Sequence, residues 1–91
     1  MRYRYPLPKR LVNEAATFAE FANGGAQCHA RLRDGSVQAG LLVSNASAIV
    51  AMRNQTELPF EPEDIASLFQ TEEDRSPSSR GDWRFFDVWD A

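Results

Sequence analysis

Between residues 26 and 69 the chain alternates apolar and polar side chains in short runs with almost no slack, and this pattern constrains the fold most. The segment reads AQCHARLRDGSVQAGLLVSNASAIVAMRNQTELPFEPEDIASLF and breaks at Asp34-Gly35, at Asn45-Ala46-Ser47 and at Asn54-Gln55. Period-two alternation between such breaks predicts antiparallel strands joined by tight hairpins, with Asp34-Gly35 as the strongest turn signal. In the first strand Cys28, Ala30 and Leu32 share one face, and Gln27, His29, Arg31 and Arg33 the other. The second places Val37, Ala39, Leu41 and Val43 together, with Gly40 marking a sharp bend or a close backbone approach. A third strand is expected over Ala48 to Met52 and a fourth over Thr56 to Phe60. Residues 65–70 suit either a helix begun at Pro62 or a closing strand, and the strand is favoured. In so short a chain the meander must curl into a small barrel to hide its apolar face. The expected interior comprises Cys28, Ala30, Leu32, Val37, Ala39, Leu41, Ile49, Leu58 and Phe60.

The flanks divide the rest. Residues 1–8 read as an extended leader, because Pro6 and Pro8 disfavour helix around them. Residues 9–22 read as a short amphipathic helix with Leu11, Ala15, Phe18 and Ala22 on one stripe, or a shorter one capped by Asn13, and Asn23-Gly24-Gly25 as the stop. With the strands, they make a barrel domain over 9–70. Residues 71–82, TEEDRSPSSRGD, have the composition of a flexible connector. Residues 83–91, WRFFDVWDA, crowd Trp83, Phe85, Phe86, Val88 and Trp89 together. A disordered tail has few aromatics, so this segment is expected to dock, on its own barrel or on a neighbour's. Burial of each large side chain gives roughly 1.5–3 kcal/mol, against about 1–2 kcal/mol of backbone entropy per ordered residue. Docking is therefore marginal, and its strand or helix form stays open.

Composition excludes several classes. The chain has 91 residues, 43% hydrophobic and 25% charged, which suits one soluble globular domain. Its longest apolar run, Ala39 to Val43, is far too short to cross a bilayer. The start, MRYRYPLPKRL, lacks the apolar stretch of a secretory signal. The single cysteine excludes an internal disulfide and fits a reducing compartment, so a cytoplasmic location is expected. The net charge of −3 divides unevenly, as +4 over residues 1–33 and −7 over residues 34–91. Such a sequence suits head-to-tail association of protomers, or a basic face for an anionic ligand, beside the plain reading of two solvated surfaces.

A short helix, a DG hairpin, a mid-strand glycine and a compact return together resemble the Sm-like fold, over about residues 9–70. The stretch LRDGSVQAGLLVSNASAIVAM is similar to the first Sm signature, and ELPFEPEDIASLF to the last two strands and their connector. The resemblance implies a mainly β architecture: an N-terminal helix followed by a small, strongly bent antiparallel barrel of four or five strands, of SH3/Sm type. It also implies rings of six or seven subunits and binding of single-stranded RNA. The RNA-reading residues do not carry over. Asn45 opens the loop, but Ala48, Ile49 and Val50 stand where the base-reading asparagine is expected. Glu61-Pro62-Glu63-Asp64 replaces the arginine–glycine pair, and such a cluster repels phosphate.

No residue set specifies a reaction, so no catalytic residue, metal or cofactor is expected. His29 and Cys28 are adjacent and point to opposite faces of a strand, so they cannot pair as base and nucleophile. The lone histidine has no companion for metal ligation. Glu72-Glu73-Asp74 lacks the spaced loop of a calcium site and reads as a solvated charge run. Arg80-Gly81-Asp82 is a chance tripeptide. The favoured function is a non-catalytic interaction or oligomerisation module that meets itself or a protein partner through Trp83, Phe85, Phe86 and Trp89. The alternative is an RNA binder using Arg2, Arg4, Lys9, Arg10 and Asn45, with Tyr3 and Tyr5 to stack bases.

Overall fold

In the computed structural model the described residues are 4–20, 24–53 and 55–75. They form five antiparallel strands, β1 (Tyr5–Pro6), β2 (Gly25–Leu32), β3 (Val37–Ser44), β4 (Ala48–Met52) and β5 (Ile65–Phe69), with helix α1 (Lys9–Ala15) and the one-turn helix α2 (Glu72–Arg75). The strands make a single sheet in the order β1-β4-β3-β2-β5, curled into a half-barrel. The expected closing strand at residues 65–70 is β5, paired with β2. The leader is more than extended chain: Tyr5 and Pro6 pair with Ile49 and Ala48, so a strand precedes the helix.

The strand expected over Thr56 to Phe60 does not form. Pro59 has no N–H for a ladder, and the segment crosses as a loop with Leu58 buried and Phe60 packed against the core. A 3₁₀ turn, Pro62–Asp64, leads into β5. The helix is also shorter than the stripe suggests. Leu11 and Ala15 are buried, but Thr17 Oγ1 donates to Glu14 O at 2.8 Å, offering the backbone an alternative to another turn. Ala19 then bonds the Gln70 amide in both directions, N to Oε1 at 2.9 Å and Nε2 to O at 3.0 Å. The side-chain amide mimics a strand partner and draws the chain out of the helix.

Cys28, Ala30, Leu41, Ile49 and Leu58 lie in the core with Leu11, Val43, Ile65 and Leu68, and Leu32 packs partly against it. Val37 and Ala39 contradict the expectation. Val37 is 45% exposed and Ala39 is exposed as well. The cause is a bulge: Cys28 pairs with Leu41 but Ala30 with Gln38, which sets Ala39 and Gly40 together opposite His29. One extra residue flips everything before it to the other face. Gly40 adopts φ +73, and a Cβ there would meet Arg53 Cβ at 3.2 Å. The hairpins also exchange roles. At Asp34-Gly35 only Gly35 has positive φ, so the turn is not primed; Leu32 N donates to Ser36 O across it, and Asp34 Oδ1 accepts from Ser36 N and Oγ. The tight primed turn lies instead at Asn45 and Ala46, with φ of 52 and 57.

Candidate functional site

The outer face of β2 carries Gln27 and His29, as alternation requires, and α2 packs over it. α2 is held by a reciprocal cap. Thr71 N donates to Asp74 Oδ2 at 2.9 Å, and Asp74 N donates to Thr71 Oγ1 at 3.2 Å. The cap turns the third acid of the run inward while Glu72 and Glu73 stay exposed. Asp74 is fully buried, so its charge must find partners. Gln27 Nε2 donates to Oδ1 at 2.8 Å, and His29 Nδ1 lies 2.6 Å from Oδ2. The solvated-run reading of Glu72-Glu73-Asp74 is therefore corrected at Asp74, and the connector expected from Thr71 begins with an ordered, anchored turn.

The His29 ring also rests on Phe69, with centroids 5.2 Å apart, and Arg31 stacks on Phe69. Beside these groups lies a cleft of about 520 Å³, lined by Gln27, His29, Ala39, Gly40, Arg53, the cap residue Thr71 and the α2 residues Glu73 and Asp74. Gln27 Oε1 is buried and accepts no hydrogen bond. The amide cannot turn to relieve this, because Nε2 must face the carboxylate.

An imidazole set by a buried carboxylate is two-thirds of a nucleophile–base–orienter arrangement. The described nucleophilic side chains do not complete it. Cys28 faces the core on the other side of β2, and burial, reinforced by the Asp74 charge, pushes its thiol far above the usual range. The Thr71 hydroxyl is engaged with Asp74 N. Among the described residues no group of three or more His, Cys, Asp or Glu side chains is placed to hold a metal ion. No helix among them is long and apolar enough to cross a membrane.

The basic positions do not converge on one site. Arg4 pairs with Glu57 at 3.6 Å and stacks on Tyr5. Arg10 donates to the carbonyls of Ala66 and Glu63, and Arg33 Nε donates to that same Glu63 carbonyl. Lys9 is exposed on the first turn of α1. Asn45 sits in the β3–β4 turn, its Nδ2 3.4 Å from Ser44 Oγ. Arg2, Trp83, Phe85, Phe86 and Trp89 lie outside the described residues.

The Gln27–His29–Asp74 cluster is not legible in the sequence because Asp74 lies more than forty positions from the other two. The signal available was Thr71-x-x-Asp74, a capping pattern that turns its acid back toward the preceding chain. No family model, no curated protein and no solved structure matches this chain.

Proposed function

We propose that the chain is a non-catalytic interaction and oligomerisation module: a small barrel of the SH3/Sm-like type whose binding element is the C-terminal segment carrying Trp83, Phe85, Phe86 and Trp89. The observation that supports this best is the use of Asp74. Its carboxylate is committed to Gln27, His29 and Thr71, and through them to holding α2 on the sheet. A polar cluster spent in this way is a tether that holds α2, and with it the last described residue, on the sheet.

The sheet edges favour assembly through that segment over strand-to-strand pairing. On β5, Leu68 N donates to Glu14 Oε1 at 2.7 Å and Ala66 O accepts from Arg10, so α1 blocks the free edge. The opposite edge strand, β1, is two residues long and ends in proline. In this reading the aromatic segment covers its own barrel in a lone subunit and a neighbour's in an assembly, within the cytoplasm. Sedimentation of the full chain against a version ending at residue 82 tests it. The full chain should show a concentration-dependent mass above that of one subunit, and the shortened chain should lose it. Identical single-subunit masses for both would overturn the reading.

A further inference from the structure

We propose that the cleft lined by Gln27, His29, Ala39, Gly40 and Arg53 beside α2 is the receptor for the chain's own residues 83–91, docked within the same subunit. This deepens the reading above by naming the surface that the aromatic segment uses. Position is the first argument. α2 forms one wall of the cleft and is pinned there by Asp74, so the chain sets out toward residue 83 from the edge of the site itself. The tether from Arg75 to Trp83 is about eight residues and spans up to roughly 28 Å. The longest dimension of the molecule is 31 Å, so the cleft is well within reach. A short tether also holds its segment at an effective concentration of about millimolar, which favours the subunit's own cleft over a neighbour's.

Chemistry is the second argument. The Gly40 bulge turns Ala39 outward into the cleft wall, and Val37, two residues before it on β3, is the large hydrophobic left exposed among the described residues. An indole supplies a large, flat apolar surface to lay over Ala39 and Val37.

The two tryptophans of the chain are Trp83 and Trp89, so intrinsic tryptophan fluorescence reads this segment alone. The full chain should emit to the blue of the free 83–91 peptide and resist acrylamide quenching. Val37→Lys and Ala39→Lys, at exposed positions that leave the core intact, should each move the emission most of the way to the peptide value. Glu61→Lys, in the separate groove along Pro59 and Phe60, should leave it in place. Emission equal to that of the peptide would overturn the proposal, as would blue emission indifferent to both β3 substitutions. Blue emission that fades on dilution in step with a falling mass would place the segment on a second copy and overturn the assignment to the same subunit. The mass measurement above is independent: a single-subunit mass defeats oligomerisation and leaves the cleft standing.

Discussion

Asp74 is the residue on which the arrangement of the sheet's outer face depends. Its side chain accepts from Gln27 Nε2, His29 Nδ1 and Thr71 N in a position closed to water. Removing the carboxylate strands three donors at once, and hydrogen bonds to a charged group contribute about 1.5–3 kcal/mol each. Some donors recover by meeting water as α2 frays, so Asp74→Ala should cost about 3 kcal/mol. Thr71→Ala removes only the acceptor for Asp74 N and should cost about 1 kcal/mol. Denaturant titration of each variant checks both values, and a loss below about 1 kcal/mol for Asp74→Ala would show the network to be idle. Sequence logic placed Gln27 and His29 on one face and Cys28 on the other, which holds. It did not join them to Asp74, because alternation gives a direction and says nothing of a partner more than forty residues away.

At the scale of elements, the β3–β4 hairpin carries a testable strain. Asn45 and Ala46 both hold positive φ, the requirement of a type I′ turn. Asparagine tolerates this conformation and alanine does not, the left-handed region costing roughly 1–2 kcal/mol for a residue with a Cβ. Ala46 packs partly against the core, so the loss of its methyl offsets part of the gain. Ala46→Gly should therefore stabilise the protein by about 0.5–1 kcal/mol, read as a rise in the denaturation midpoint at unchanged slope. A fall would show that the methyl contact outweighs the strain. The same hairpin shows what was legible. Residues 65–70 suit a helix as well as the strand that forms over 65–69, whereas the break at Asn45-Ala46-Ser47 and the strand after it follow from local pattern. The inward face of β3 did not, because Gly40 inserts a residue into the ladder and reverses the alternation before it. The end of α1 did not either, since the Gln70 amide that captures Ala19 comes from the far end of the barrel. The strand expected at 56–60 fails for a local reason, since Pro59 has no N–H for a ladder whatever the alternation around it.

At the scale of the whole molecule, folding brings part of the acidic remainder against the basic head. Arg4 is drawn to Glu57, and Arg10 and Arg33 meet over the Glu63 carbonyl. Glu61, Glu63 and Asp64 stay exposed in that same turn. An approaching phosphate therefore meets guanidinium groups already bonded and a cluster of carboxylates beside them. Neutralising one phosphate of a single strand contributes a salt slope of about −0.7, so a head using Arg2, Arg4, Lys9 and Arg10 together would approach roughly −3. Short single-stranded RNA titrated at two salt concentrations should instead bind weakly, with a slope no steeper than about −1.4, equivalent to two contacts. Asn45 offers no compensation, since its turn projects from the β3–β4 end of the sheet and no cation among the described residues bonds to it. If repulsion by the acidic turn is the cause, Glu63→Lys should strengthen binding and steepen the slope, while Asn45→Ala should change neither. Sub-micromolar binding with a slope near −3 in the unaltered chain would return the basic head to the centre of the protein's function.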